Sequence, residues 1–258
     1  MKAYFLQSSG SGMKLELREV ARPQPGPNQL LVKIHASSLN RGEFLGGLGQ
    51  AKAAGQEAAG EVVGSGQKVM GRCPGGFAEY GLMEKTDAIP VPDGLSWEQA
   101  GAIPLAFMVV HDMLVAQGGL KPGEWLLVTG VSSGVGVAAL QAAKAIGAKV
   151  IGTSGSREKL ERLEALGLDV AIHTRTANFK DAVLQATGGK GADLVVNNVG
   201  GTVFAECIRA LAYQGRLATV GYLDRVMKAE LDLDALHARR LRLFGVSRSS
   251  SAFITRSR

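Results

Sequence analysis

Short apolar runs separated by turn-forming clusters fill the first 93 residues of the chain. The clusters, such as Arg22–Pro27, Gly64–Gly66 and Pro92–Gly94, are rich in proline and glycine. This pattern is typical of short strands in a small, irregular, mostly antiparallel barrel. The predicted strands are Lys2–Leu6, Leu15–Val20, Leu30–Ser37, Gly60–Val63, Lys68–Gly71, Phe77–Met83 and Ala88–Val91.

The spacing of apolar residues changes at Ser96, which is the expected N-cap of a helix. Pro104 begins a second predicted helical stretch, which ends at Leu114. Apolar strands then alternate with helices of about ten residues, which indicates an α/β fold with a doubly wound parallel sheet. The predicted strands are Trp125–Thr129, Lys149–Thr153, Asp169–His173, Asp193–Asn197, Arg216–Val220 and Leu241–Val246. The predicted helices are Val137–Ile146, Glu158–Leu166, Phe179–Thr187 and Val203–Leu211.

Composition supports a nucleotide-binding fold and excludes several other classes. Glycine contributes 35 of the 258 residues, about twice the ordinary share. Two cysteines, Cys73 and Cys207, cannot form a disulfide scaffold or a four-cysteine zinc site. No apolar run approaches the length of a membrane span, and the apolar start of the chain is too short for a signal peptide. We therefore expect a cytoplasmic protein with reduced thiols and no membrane partner.

The net charge of +6 belongs to the C-terminal end of the chain. Between Ala235 and Arg258 there are six arginines and no acidic residue, so the preceding residues are neutral overall. A nucleic-acid partner is therefore not expected for the fold as a whole. Residues 249–258 form a basic, serine-rich tail without a structural pattern.

The strongest local motif follows the first strand of the parallel sheet. After the apolar run Leu126–Thr129, the spacing Gly134-x-Gly136-x-x-Ala139 fits the dinucleotide fingerprint. The first glycine is expected to permit the tight turn, and the second to let the backbone approach a pyrophosphate. The helix that follows directs free N–H groups and its positive dipole end toward the phosphates. A purely structural glycine turn is the alternative interpretation.

The end of the second parallel strand favours NADP(H) over NAD(H). An acidic residue there would bind the ribose 2′-hydroxyl, but the sequence places Thr153 and Ser154 at this point. Ser156 is a candidate N-cap, which puts Lys159 in the first helical turn, where a cation is unfavourable unless a phosphate offsets it. Arg175 is a second candidate for the 2′-phosphate. The alternative is that Lys159 is a solvated surface residue.

Several motifs in the same order along the chain resemble one protein family. They are Ser37–Asn40, Gly55–Gly60, Gly75–Tyr80, Pro92–Ser96, Ala102–Pro104 before His111-Asp112, Thr129–Gly136, Val199–Gly201 and Gly215–Gly221. From Lys2 to about Arg248 the chain resembles a zinc-free member of the medium-chain dehydrogenase/reductase superfamily, and in particular the zeta-crystallin-like NADPH:quinone oxidoreductases.

This resemblance implies two domains, with an active cleft between them. Residues 1–95 would form a GroES-like β-barrel substrate domain, and residues 96–248 a Rossmann dinucleotide-binding domain. It also implies a homodimer, in which Leu241–Val246 pairs with its twin. The family's zinc ligands are replaced by Asn40 and Gln56, and Cys73 stands alone, so no metal is expected.

The implied reaction is hydride transfer from NADPH to a quinone or a related activated carbonyl or alkene, which needs positioning more than acid–base chemistry. The candidate catalytic residues are Asn40, Arg41 and Tyr222. Their alternative roles are a local turn hydrogen bond, a solvated loop charge and buried packing, respectively. The candidate cofactor-binding residues are Gly130, Ser132, Ser133, Gly134, Val135, Gly136, Thr153, Ser154, Ser156, Lys159, Arg175, Asn198, Val199, Gly200, Gly221 and Tyr222.

The chain also departs from the family pattern, which leaves other functions open. It stops just after the sixth parallel strand, whereas family members return to the barrel and complete it. We therefore expect an incomplete, C-terminally truncated barrel and an uncertain activity. One alternative function is an NADPH-dependent enoyl or alkenal double-bond reductase, although the substrate loop has Phe44 and no tyrosine as proton donor. Another is a cofactor-binding protein with little or no turnover and weak RNA affinity through its tail.

Overall fold

The computed structural model describes residues 1–9, 12–45 and 51–246. The chain divides into two compact units, Met1–Ala106 and Phe107–Arg258. The sequence predicted a boundary at residue 96, about ten residues earlier. The difference arises because helix α1 (Trp97–Gly101) packs on strands of the first unit. The predicted tail, residues 249–258, lies outside the described residues.

The first unit is built from two antiparallel sheets, where the sequence predicted the mostly antiparallel strands of one small barrel. One has the order β2-β1-β4 and the other β7-β3-β5-β6-β8. The two-residue strand β4 was not predicted, since only its hydrogen bonds to β1 define it. The strands are β1 (Lys2–Ser9), β2 (Gly12–Glu19), β3 (Gln29–Ala36), β4 (Lys52–Ala53), β5 (Glu57–Val62), β6 (Lys68–Arg72), β7 (Tyr80–Glu84) and β8 (Ile89–Pro90).

Strand β5 lies at the centre of the larger sheet and is almost entirely buried. Its apolar residues pack with those of β3, β6 and β7 in one cluster, which includes Val32, Ala58, Val69 and Met83. Gly60 is required there, because a Cβ at this position would lie 2.1 Å from the carbonyl oxygen of Lys33. The first residue of this strand, Glu57, is a buried carboxylate among these apolar residues.

Two helices follow the barrel strands. Ser96 caps α1 through a capping box with Gln99, as the sequence predicted. Helix α2 (Pro104–His111) then begins at the predicted proline and continues into a π-helical turn, Asp112–Ala116. None of the helices among the described residues has both the length and the apolar character needed to cross a bilayer.

The second unit contains a six-stranded parallel sheet of the order β11-β10-β9-β12-β13-β14. This confirms the predicted doubly wound sheet. Its strands are β9 (Trp125–Thr129), β10 (Lys149–Ser154), β11 (Val170–His173), β12 (Ala192–Asn197), β13 (Leu211–Thr219) and β14 (Arg242–Gly245). Its helices are α3 (Gly134–Ile146), α4 (Arg157–Glu164), α5 (Lys180–Ala186), α6 (Phe204–Ala210) and α7 (Leu233–Ala238).

Two details of this unit differ from the sequence prediction. Strand β13 begins at Leu211, five residues before its predicted start. Its pairing with β12 has a register shift between Ala192 and Leu194. Helix α7 was not predicted, because it has no fully buried residue and therefore no strong apolar stripe. From β9 the chain continues to β10 and β11 on one side of the sheet, whereas β12 lies on the other side of β9. Ligands of open α/β sheets bind at such a reversal, beyond the carboxyl ends of the strands.

Candidate functional site

The turn after β9 is built from hydrogen bonds to the neighbouring strand. Gly130 has a φ of 63°, and its N–H donates to Thr153 Oγ1 at 3.2 Å. The N–H of Val131 donates to the Thr153 carbonyl oxygen at 2.9 Å. Ser133 then caps helix α3, because its Oγ accepts from Gly136 N at 3.1 Å. The chain therefore enters the helix from a fixed position above β10.

The structure assigns the glycines of the motif different tasks from those predicted. The left-handed turn residue is Gly130, not Gly134. Gly136 accommodates the protein backbone, because a Cβ there would lie 2.5 Å from the carbonyl oxygen of Val131. A Cβ on Gly134, in contrast, would meet no atom within 4 Å. The open space at this turn therefore lies beside Gly134.

The N-terminus of α3 fits a diphosphate group. The N–H groups of Gly134 and Val135 donate to no acceptor among the described residues, as is usual for the first turn of a helix. Free N–H groups and the positive end of a 13-residue helix together bind anions. The residues present thus fit the phosphates of a dinucleotide, which is the group that the sequence motif predicted.

The end of β10 carries hydroxyl groups and a nearby guanidinium group. Ser154 Oγ contacts Ser132 Oγ at 3.0 Å and accepts from Ser156 N at 3.2 Å. Ser156 caps helix α4, as predicted, with Lys159 in the first turn. The Arg175 side chain passes close to Gly155, since a Cβ on Gly155 would lie 2.7–2.9 Å from three Arg175 atoms. The end of β10 therefore has hydroxyl groups and at least one cation that could bind a ligand, and neither Thr153 nor Ser154 carries a carboxylate.

A buried amide network fixes the end of β12 beside the glycine turn. Asn197 Oδ1 accepts from Val199 N at 3.0 Å and Gly200 N at 3.1 Å, and its Nδ2 donates to Gly200 O. Asn198 Nδ2 donates to Thr129 O at 3.1 Å. These contacts bring Asn198, Val199 and Gly200, which the sequence predicted as cofactor-binding residues, to the same edge as the turn after β9. Thr129 and Asn197 were not predicted as residues of this site. Two adjacent asparagines at the end of an apolar strand are the sequence feature that could have indicated them.

Asp224 is a further residue that sequence reasoning missed. Burial would raise the pKa of Asp224, but hydrogen bonds from the Thr202 side chain and from the backbone N–H groups of Val226 and Thr202 outweigh it and lower the pKa. Asp224 also lies against Gly200, whose φ of 125° excludes most side chains. Gly221 packs on the backbone of Asn198, and Tyr222 is exposed. Asp224 thus holds the loop between β12 and α6.

In the first unit, Asn40 is part of a polar cluster rather than a free loop residue. Its Nδ2 donates to Glu57 Oε1 at 2.6 Å and contacts Ser38 Oγ at 3.0 Å. Ser38 Oγ also donates to Glu57, and Leu105 N donates to Glu57 Oε2 at 2.6 Å. Arg41 is exposed at the start of a 3-10 turn, Arg41–Leu45. Glu57 lies within the Gly55–Gly60 motif, but the sequence did not predict its role.

The described residues do not form a zinc site. Among them, no group of three or more His, Cys, Asp or Glu side chains is arranged to hold a metal ion. Asn40 and Gln56 lack the metal-binding groups of cysteine and histidine. Burial raises the pKa of the Cys73 thiol to about 12, which opposes the thiolate that zinc requires.

The fold and the strand ends around the turn after β9 define the class of this protein. It is a Rossmann-type dinucleotide-binding protein with an antiparallel N-terminal unit. Residues 134–256 match the family described as zinc-binding dehydrogenase. The chain is 30% identical to human quinone oxidoreductase over 240 residues, which cover 86% of this chain and 73% of that protein. It is 32% identical to a phenolphthiocerol/phthiocerol polyketide synthase subunit of Mycobacterium tuberculosis, over 86% of this chain but only 11% of the synthase.

A solved structure agrees with this result. The quinone oxidoreductase of Thermus thermophilus, whose complex with NADPH is known, superposes with a TM-score of 0.83 at 30% identity. The match covers 96% of this chain and 81% of that one. The chain therefore belongs to the medium-chain dehydrogenase/reductase superfamily, among its quinone oxidoreductase-like members.

Proposed function

We propose that this chain is an NADPH-dependent oxidoreductase that transfers a hydride to a quinone or a related activated carbonyl or alkene, without zinc. One observation carries this proposal: the N–H groups of Gly134 and Val135 are free at the turn after β9. In the same unit, the Arg175 guanidinium group lies beside Gly155, directly after β10. The quinone oxidoreductases among the relatives support the substrate class, and the NADPH complex of one of them supports the cofactor.

Each unit has a separate task in this proposal. When bound, NADPH supplies the hydride. Gly134 and Val135 bind its diphosphate, Arg175 and Lys159 bind the 2′-phosphate, and Asn198–Gly200 and Gly221 shape the nicotinamide side of the edge. In the unit Met1–Ala106, Asn40 and Arg41 are the residues proposed to contact the substrate. These groups orient the reactants, and the reaction requires no protein acid or base at the hydride-transfer step.

Steady-state oxidation of NADPH tests this function directly. We expect turnover with 1,2-naphthoquinone and much slower turnover with a simple enone. Faster oxidation with the enone would favour a double-bond reductase. NADPH binding without turnover of either acceptor would show a cofactor-binding protein and contradict the proposal.

Removal of metal ions should leave the activity unchanged. The described residues offer no ligand set for zinc, so a strong chelator has no structural or catalytic metal to extract. The measurement is the rate of quinone reduction before and after dialysis against the chelator, together with elemental analysis. One zinc ion per chain, or loss of activity that zinc restores, would contradict the zinc-free proposal.

We also propose that the protein is a cytoplasmic homodimer. Both cysteines are free and buried, which suits a reducing compartment. Among the described residues, strand β14 is an edge strand and pairs with β13 alone. Since Val246 N donates to Thr219 O at 3.1 Å, the N–H of Gly245 points to the side of β14 away from β13. On this side Gln117 Nε2 donates to Gly245 O at 3.3 Å, and this is the side on which we propose that β14 pairs with its copy.

Substitution of Gly245 tests the dimer. Gly245→Pro removes the outward N–H, and a Cβ at this position meets no atom within 4 Å. The expected result is a monomer by light scattering, because proline removes a ladder hydrogen bond at a sheet edge. Gly245→Ala keeps the N–H and is the matched control, which should remain a dimer. A dimeric Gly245→Pro variant would place the interface elsewhere.

A further inference from the structure

A groove on the surface of the second unit is lined mainly by cations. It has a volume of about 390 Å³, and its lining residues come from α5, α6 and the segment of α7. The lining cations are Lys180, Arg209 and Arg239. Asp234 is the only carboxylate among the described residues that line it. None of these residues belongs to the turn after β9 or to the end of β10, so the proposed oxidoreductase function does not use this groove.

Arg239 is fixed at the groove by the end of helix α6. Its guanidinium group donates to the carbonyl oxygen of Ile208, in α6, and to that of Leu211 at 3.3 Å. Carbonyl oxygens at the end of a helix lack a partner within it and carry its negative dipole end, so they hold a cation. Arg239 Nε, however, is buried and has no acceptor among the described residues. One N–H of this fixed cation is therefore left without a hydrogen bond.

A buried carboxylate, Glu206, sets the positions of the other two cations. Its Oε2 accepts from Arg209 Nε at 3.1 Å and Nη2 at 2.6 Å, and its Oε1 accepts from the backbone N–H of Lys180 at 2.8 Å. Arg209 Nη1 has no acceptor among the described residues. The Lys180 ammonium group pairs with Asp181 at 3.6 Å, but the Asp181 side chain is 95% exposed, so water screens this attraction. Both cations therefore keep donors for a further acceptor.

We propose that this groove binds a small organic phosphate monoester, whose phosphate contacts Lys180, Arg209 and Arg239. Guanidinium and ammonium groups donate charge-assisted hydrogen bonds to phosphate oxygens. The three cations exceed the combined charge of Asp234 and Glu206, so the groove favours an anion over a neutral or positive group. The doubly charged phosphate of a monoester gains more from this excess than a single carboxylate does.

The rest of the lining suits the organic part of such a ligand. Ala235 and Ala238, on α7, carry only methyl side chains, and the long cationic side chains present aliphatic stems beside their charges. A groove of about 390 Å³ lies within the size range of small-molecule sites and is larger than a phosphate group requires. It therefore has space and apolar surface for an organic group of the size of one ring.

Isothermal titration of the full chain with phenyl phosphate tests this inference. Two substitutions are expected to act in opposite directions. Lys180→Met should raise the dissociation constant about fivefold, because it removes a cation from the groove. Asp234→Asn should lower it about twofold, because it removes a repelling carboxylate. Asp234 is exposed, so this variant keeps the test decisive even if Lys180→Met does not fold.

Controls separate the groove from general attraction to a basic protein. Lys190→Met and Glu161→Gln change the net charge in the same way as the two test variants, but these exposed residues lie outside the groove. Both should leave the dissociation constant unchanged. Arg175→Ala should also leave it unchanged, because Arg175 belongs to the proposed cofactor site and not to the groove.

Three further probes define the class of ligand. Inorganic phosphate lacks the ring and should bind about threefold more weakly than phenyl phosphate, since it buries no apolar surface. Benzoate carries one negative charge and should also bind more weakly, and phenol, which is neutral, should not bind. These measurements involve no nucleotide, so their outcome is independent of the proposed oxidoreductase function.

Several results would overturn the inference. No binding of phenyl phosphate by the wild type would remove the site. Equal weakening by Lys180→Met and Lys190→Met would show non-specific attraction, and loss of binding in Arg175→Ala would place the ligand at the proposed cofactor site. Affinity for benzoate equal to that for phenyl phosphate would contradict the phosphate class.

Discussion

Arg175→Ala is expected to weaken NADPH binding about tenfold or more and to leave NADH binding nearly unchanged. The side chain of Arg175 passes beside Gly155, at the end of β10. In Rossmann folds, this strand end receives the adenosine ribose. A charge-assisted hydrogen bond to the 2′-phosphate contributes ~1.5–3 kcal/mol, and NADH has no such phosphate. The measurement is a fluorescence titration of each nucleotide against wild type and variant.

Two further variants define the origin of this effect. Lys159→Ala should lower NADPH affinity in the same direction, because Lys159 lies in the first turn of the helix that Ser156 caps. Arg162→Ala is the matched control, since this exposed arginine of the same helix pairs with Glu158. Equal affinity of the wild type for both nucleotides, or parallel loss of both in Arg175→Ala, would show that these cations do not read the 2′-phosphate.

Arg216→Ala should lower the free energy of unfolding by about 2 kcal/mol, because the half-buried carboxylate of Glu124 loses its charge-assisted hydrogen bonds. Arg216 binds both oxygens of Glu124, at 3.0 and 2.6 Å, and also donates to Gly118 O at 2.8 Å. This pair ties β13 to the turn before β9. Chemical denaturation at pH 7 measures the loss. Arg162→Ala breaks an exposed pair and should cost less than about 0.5 kcal/mol.

The loss in Arg216→Ala should also depend on pH. Burial would raise the pKa of Glu124, but hydrogen bonds from Arg216 and the Lys121 N–H, with the Arg216 charge, outweigh it and lower the pKa. A lowered pKa in the folded state stabilises the protein above the ordinary pKa of the group and ceases to do so as the pH falls. The difference between wild type and variant should therefore shrink as the pH falls below about 4.5, the ordinary pKa of a glutamate. A constant difference would assign the loss to packing alone.

Most of the fold was predictable because its apolar patterns are local. The runs at Leu126–Thr129 and Val150–Ser154 are continuously apolar or small, as buried parallel strands require. Strand β4 and the early start of β13 were missed, since pairing with a distant strand, and not composition, defines them. Helix α7 was missed because most of its residues are exposed and its N-cap residue, Asp232, lies among other acidic residues.

The candidate site was predictable where it depends on backbone geometry and less so where it depends on packing. The motif identified the turn at Gly130–Gly136, but it did not show that Gly136 serves the contact with Val131. Asn40 was singled out from the resemblance, yet its orientation depends on Glu57, which lies 17 residues away in sequence. Hydrogen bonds between distant residues of this kind carry no local periodicity.

A crystal structure of the chain with NADP+ tests the central claim most directly. The account predicts the diphosphate on the N–H groups of Gly134 and Val135, and the 2′-phosphate within hydrogen-bond distance of Arg175 or Lys159. A nucleotide bound away from the turn after β9, or a 2′-phosphate that contacts neither cation, would contradict it.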